Sequence, residues 1–462
     1  MSSVSDNKQA TLALGTQPVG KLLFQYALPA IVAMVASSLY NIIDRAFIGQ
    51  VVGPIAISGL AITFPFMNLS GAFGAAVGVG SATAISLKLG QKDYLSAEEI
   101  LGNTVTLNLI IGFGFAIICL LFLDPILYFF GASKDTLPYA RSFMQIILLG
   151  NVITHMYFGM NAVLRAASKP RQAMTATIFT VLMNIALDTL FILVLHWGIR
   201  GAAAATVLSQ TMALVYQLKL FSNKNELLHF KRGIYRLKSR LVKNIISVGI
   251  SPFLMNLCAC FVIIFINNQL VRYGGDLSVG SYGIASAVST MFVMIVMGLN
   301  QGMQPIAGYN YGAQKLDRVM RVLKIAIIAA TIIWTIGWLI AMVFPESIAR
   351  IFTKDEELIK LSVFAIRVDM LVVPVVGMQM VVTNFFQCIG KVKVSIFLSL
   401  SRQLLFLLPL LYTLPLFFGV NGVWFSLPIS DFIAANVANV MMLTYMRKFK
   451  KQLKLSENGS NR

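Results

Sequence analysis

The chain has 462 residues, of which 57% are hydrophobic and only 12% charged, with 37 Lys and Arg against 18 Asp and Glu for a net charge of +19. A soluble globular domain carries about 25% charged residues, so this balance excludes an ordinary soluble fold and points to an all-α membrane protein. The basic excess flanks apolar stretches, which makes it a face for anionic lipid; the lipid bilayer is the expected partner and no nucleic acid is expected.

In chain order, a polar tail over 1–20 has no short apolar core followed by a small-residue cleavage site, so no removable signal peptide is read. Twelve apolar spans follow, near 22–49, 55–88, 99–123, 139–165, 172–195, 200–221, 244–272, 280–308, 323–344, 362–388, 396–418 and 422–446. Nearly all exceed the roughly 20 residues a helix needs to cross a hydrocarbon core. The landmarks of one half return in the other: Pro29 and Pro252, Gly90 and Gly312, Lys169 and Lys391, and Gly198/Gly201 and Gly419/Gly422, always 221 to 223 residues apart. That register marks a duplication. The chain therefore divides into an N-lobe of six helices (21–221), a basic linker (222–242), a C-lobe of six helices (243–446) and a basic tail (447–462). Two lobes in one chain lead us to expect a monomer.

Basic residues fix an orientation. With the amino terminus in the cytoplasm, most Lys and Arg fall on the cytoplasmic side, above all Lys219, Lys224, Lys231, Arg232, Arg236, Lys238, Arg240 and Lys243 in and beside the linker. Both termini are thus expected in the cytoplasm of a multi-pass protein of the plasma (inner) membrane. Six spans per unit give both lobes the same orientation, a plan of secondary transporters with a path between the halves. Pro29, Pro65, Pro252, Pro305, Pro374 and Pro409 fall inside spans as static kinks or hinges. Cys119, Cys258, Cys260 and Cys388 all lie in spans, where they fill space. No nucleotide-binding loop, nucleophile elbow or His-Glu-x-x-His pair is found, so neither an enzyme nor a cofactor is expected. His155, the one histidine within a span, reads as a packing residue.

Ionisable groups inside the spans are few, and each acid at mid-helix costs about 2.5 to 3.5 kcal/mol on insertion scales. Asp44 lies in the first span, Asp188 in the fifth and Asp431 in the twelfth. Arg45 is the basic residue read within a span. Asn184 and Asp188 are four apart and share one helix face. With a rise of about 1.5 Å per residue, Asp44, Asp188 and Thr206 all fall roughly 8 to 10 Å below the outer surface. Two carboxylates, an amide oxygen and a hydroxyl suit a hard monovalent cation such as Na⁺, or shared protons.

The strings LYNIIDRAFIG at 39–49, GVGSATAISLKLG at 78–90, MNIALD at 183–188 and GIRGAAAATVLSQ at 198–210 together resemble the multidrug and toxic compound extrusion (MATE) transporters across both lobes. The resemblance implies a cation-coupled antiporter exporting organic cations by alternating access, with H⁺ or Na⁺ as coupling ion at Asp44, Asn184, Asp188 and Thr206. Two departures stand out. Arg45 occupies a place where family members usually carry a small polar residue. In the C-lobe the seventh span has Asn256 and the tenth Gln379 and Asn384, where many relatives carry acids, with Asp369 nearer the outer end of the tenth. Asp431 resembles an acid of some members and is a secondary coupling candidate. An acidic cavity favours small organic cations, and 22 Met and 32 Phe supply adaptable wall material; Tyr40, one turn before Asp44, and Met291 are candidate lining residues. The alternative, a flippase for lipid-linked saccharides, needs cationic groups facing the cavity to hold a diphosphate, and apart from Arg45 and flanking residues the spans are read as lacking them.

Overall fold

The computed structural model of the chain describes residues 9–51 and 54–460, without the side chains of 41–43, 45–47, 49–51, 54, 56–57 and 453–460. The apolar runs form helices throughout, since a backbone in hydrocarbon must bond within its own segment. Among the described residues eight helices are long and apolar enough to cross a membrane, or ten if each of two bent pairs counts as one span. One of the eight, Ser239–Gly312, is 74 residues long and holds two spans. Gly275 interrupts it at φ 71°, ψ −176°, a conformation open to glycine because it lacks a Cβ. Its two ends return to one place. The Lys238 N–H donates to Asn103 Oδ1 at 3.0 Å, and the chain at Tyr309 lies against Gly90. The remaining span, Ile199–Ser222, has 24 residues, which completes twelve helices in two six-helix lobes.

Several spans are broken. The fourth bends by 56° between Leu137–Leu149 and Asn151–Ala166, and the tenth by 52° between Glu356–Asp369 and Val373–Cys388. Pro374 stands in the first turn of the second half of the tenth span, where its missing N–H is harmless. Pro29, Pro65, Pro252 and Pro305 lie inside continuous helices. The fifth and eleventh spans, which correspond in the duplication, each contain a π-helical stretch, Thr189–Val194 and Ser401–Leu407. Such wide turns free backbone groups and re-aim side chains. Asp188 immediately precedes the first, and Arg402 lies in the second.

The lobes meet backbone to backbone in the halves nearer the termini. A Cβ added at Gly80 would lie 2.0 Å from the Ile245 carbonyl oxygen, and one at Gly249 would lie 2.2 Å from that of Ala76. The same reciprocal contact joins Gly90 to Tyr309 and Gly312 to Leu87. Only hydrogen side chains permit this approach, and it closes the space between the lobes on the terminal side. The linker is fastened to the third span, Tyr94–Leu121. Asn103 Nδ2 donates to the carbonyls of Ile234 at 3.3 Å and Arg236 at 3.2 Å, and Lys231 pairs with Glu98 at 2.7 Å. The linker is therefore not wholly the lipid-facing basic surface its composition implies, because Lys231 and Lys238 are engaged by Glu98 and Glu99 of the N-lobe.

Candidate functional site

The first, fifth and sixth spans bring Asp44, Asn184, Asp188 and Thr206 into one buried cluster, with Asp188 fully buried and Asn184 nearly so. The Asp44 and Asp188 carboxyls adjoin within hydrogen-bonding reach. In the amide orientation that satisfies both its ends, Asn184 Nδ2 donates to Asp188 Oδ2 at 2.6 Å and Oδ1 accepts from the Thr206 backbone N–H at 3.1 Å. Turned over, Nδ2 lies 3.3 Å from Thr206 Oγ1 and the amide oxygen faces Asp188, as a protonated carboxyl would require. The Thr206 hydroxyl donates to the Ala202 carbonyl at 3.0 Å, which leaves its lone pairs for the Tyr40 hydroxyl at 3.3 Å.

Two carboxylates in contact at a buried site repel each other strongly unless a proton or metal cation lies between them. The cluster is thus chemically a receptor for one small positive charge, and the carboxylate, amide and hydroxyl oxygens are hard donors that suit H⁺ or Na⁺. Tyr40 joins it through Thr206, a contact the helix-depth reasoning did not contain. Tyr157 of the fourth span, itself buried, lies within electrostatic range of Tyr40; no sequence pattern singled it out. The Arg45 side chain lies outside the described residues. Met291 is 58% exposed, belongs to the other lobe and is not part of this cluster.

The C-lobe corrects the sequence reading. Asp431 is held by Arg402, whose Nε and Nη2 donate to its two carboxylate oxygens at 2.6 and 3.2 Å. A carboxylate so paired is already neutralised, so Asp431 is not by itself an open cation ligand. Arg402 also overturns the reading that no basic residue beyond Arg45 and flanking ones enters the spans. It lies well inside the eleventh span, where the π turn of Ser401–Leu407 carries it toward the twelfth.

A duplicated, twelve-helix protein whose lobes are sealed on one side and carry buried charge on facing helices is a multi-pass membrane transporter of the two-lobe kind. The MatE family model matches residues 29–190 and 252–413, once in each lobe, and the chain belongs to that family of transporters and is not an enzyme. Similar curated proteins include the multidrug export protein MepA of Staphylococcus haemolyticus (strain JCSC1435), 29% identical over 425 residues covering 92% of this chain and 93% of that one. MepA of Staphylococcus aureus (strain MSSA476) is 25% identical over 440 residues, 95% and 96% of the two chains. Among solved structures, the outward-facing conformation of a multidrug resistance MATE family transporter of the MOP superfamily superposes with a TM-score of 0.89 at 24% identity, covering 96% of this chain and 98% of that one.

Proposed function

We propose that the protein exports organic cations, drugs or toxic compounds among them, from the cytoplasm in exchange for H⁺ or Na⁺ taken up at Asp44, Asn184, Asp188 and Thr206. The observation that carries this reading is the adjacency of the Asp44 and Asp188 carboxyls, buried and bridged to Thr206 through Asn184. Such a pair binds a cation from the open side and gives it up when the site is turned toward a compartment where that ion is scarce. Closure of the lobes at Gly80 and Gly249 on the terminal side fits a state open to the outside, with both termini in the cytoplasm of a plasma-membrane protein. Similarity to MepA, a multidrug export protein, supports the same cargo class.

Exchange requires that ion and cargo oppose each other's binding, and the opposition is reciprocal. An ion on Asp188 removes the negative charge that an organic cation would find in the N-lobe. It also reverses the hydrogen bond that Asn184 makes, which transmits occupancy to Thr206 and the sixth span. The test is efflux of a fluorescent organic cation from everted vesicles under proton and sodium gradients imposed separately. One gradient should drive efflux in the wild type, and Asp188→Asn should abolish it at normal expression. Full gradient-driven efflux by Asp188→Asn would remove this site from the mechanism.

A further inference from the structure

We propose that the C-lobe binds one phospholipid whose zwitterionic headgroup ends in a primary amine, with its phosphate on Arg367 and its ammonium on Glu346. The site is separate from the N-lobe ion cluster and does not depend on the export reading. A cavity of about 390 Å³ opens where the ninth span, Leu316–Val343, ends. Val343, Phe344, Glu346 and Arg350 line one side of it, and Val363 and Arg367 of the tenth span line the other. Glu346 and Arg350 belong to the short helix Pro345–Phe352. Ile351 of that helix is 79% exposed, and Phe344 and Phe352 are exposed beside it, so the helix lies in the membrane interface with apolar side chains turned to lipid. The cavity therefore stands at headgroup level, on the side remote from the chain termini.

The duplication supplies an internal comparison. At a shift of 222 residues Glu346 corresponds to Asp124, Val363 to Arg141 and Arg367 to Gln145. In the N-lobe Arg141 Nε reaches Asp124 Oδ1 at 3.3 Å, and the acid is closed by an ion pair. In the C-lobe the basic residue stands one helical turn deeper, and it and the acid line a cavity instead. Arg367 is exposed and has no hydrogen-bond or ion-pair partner among the described residues. It stands seven residues beyond Lys360 in the helix Glu356–Asp369, about 10 Å farther along the axis. An unpaired guanidinium at that depth is costly unless it meets water or a phosphate.

The order of the charges selects the headgroup. Arg350 is shared by two acids: its Nε and Nη2 donate to Glu346 Oε1 at 3.0 and 2.9 Å, and its Nη1 donates to Glu356 Oε1 at 2.9 Å. Two carboxylates on one guanidinium leave one negative charge at the rim, with Glu346 Oε2 open to another donor, while Arg367 holds one positive charge beneath. A zwitterionic phospholipid presents the complement in the same order, since its phosphate adjoins the glycerol and its amine lies farther out. A primary ammonium can donate to Glu346 Oε2. A quaternary choline has no N–H to give, and an anionic glycerol headgroup brings no cation to the rim. Below the cavity Ile336, Leu339 and Ile340 of the ninth span are exposed, an apolar track along which the acyl chains can run.

The test is native mass spectrometry of the purified full-length protein, released from micelles doped with equal amounts of dioleoyl phosphatidylethanolamine, phosphatidylcholine and phosphatidylglycerol. One phosphatidylethanolamine should be retained about tenfold or more over the other two lipids, the effect of a charge-assisted contact. Arg367→Gln should lower its retention about tenfold, and Glu346→Gln should bring it to the level of phosphatidylcholine. Arg141→Gln, at the equivalent N-lobe place, should change nothing. Should Arg367→Gln fail to fold, Arg367→Lys decides, because it keeps the charge and must keep the preference. Equal retention of the three lipids, a preference for phosphatidylglycerol, or a preference untouched by Arg367→Gln or lost in Arg367→Lys overturns the site. Free phosphorylethanolamine is offered in parallel, and its retention ahead of the lipid overturns the assignment to a membrane ligand.

Discussion

Replacing Gly80 with Ala tests whether the glycine contacts hold the lobes shut on the terminal side. The new Cβ would lie 2.0 Å from the Ile245 carbonyl oxygen and 2.8 Å from its carbon. Ordinary contact is about 3.5 Å, so the seventh span must retreat by more than 1 Å, and backbone cannot swing aside as a side chain can. Forcing a group of this size into a packed contact costs about 1–3 kcal/mol. That cost falls on the conformer closed on the terminal side and is absent once the lobes part there, so the ratio of the two conformers should shift by about 5- to 150-fold. The readout is thiol labelling. With the four native cysteines replaced, a cysteine at Ser86, 1% exposed in the closed state, should react with an impermeant maleimide faster by that factor in the Gly80→Ala background. Gly114→Ala, whose Cβ would meet nothing within 4 Å, should leave the rate unchanged. Equal labelling with and without Gly80→Ala would show that the contact does not gate the terminal side.

Asn184→Ala deprives Asp188 Oδ2 of its 2.6 Å donor; loss of such a supporting contact typically costs 10- to 100-fold in ion affinity, read as a shift in the ion concentration giving half-maximal efflux. Arg402→Ala strands the Asp431 carboxylate in the C-lobe. Because Arg402 is 35% open, the loss should lie toward the lower end of about 2–5 kcal/mol, and Arg402→Ala/Asp431→Ala should recover much of it in a double-mutant cycle on thermal unfolding. Asp93 caps the third span by accepting from the Ser96 N–H at 3.1 Å, and hydrogen bonds from Lys88 and then Ser96 hold its carboxyl down to about 2. A depressed folded value means that the stabilisation is complete above the ordinary carboxyl range near 4 and is lost as pH falls toward 2. Asp93→Ala should therefore lower stability by about 1 kcal/mol at pH 7, with the gap to wild type narrowing below pH 4. A gap independent of pH would show that the charge of Asp93 contributes nothing.

Local spacing made part of the site legible. Asn184 and Asp188 share a helix face at i, i+4, and the rise per residue set Asp44, Asp188 and Thr206 at one depth. Lateral distance is a different matter. The Tyr40–Thr206 contact joins residues 166 apart, and no periodicity encodes which faces of the first and sixth spans meet. Arg402 was visible in the sequence, but reading it as juxtamembrane missed its place because its direction depends on a π turn and its partner is 29 residues away in the next span. The Ser289–Asp369 contact depends likewise on the packing of the eighth span against a bent tenth.

The chain by itself determined that it is a duplicated bundle of membrane helices, because apolar length and charge distribution are properties of each segment taken alone and the repeat is a matter of register. Tertiary structure alone decided which acid is neutralised, and on which side the lobes close. Both depend on distances between helices remote in sequence: one guanidinium reaching Asp431 and not Asp369, and glycines that become a seal only when another backbone lies against them.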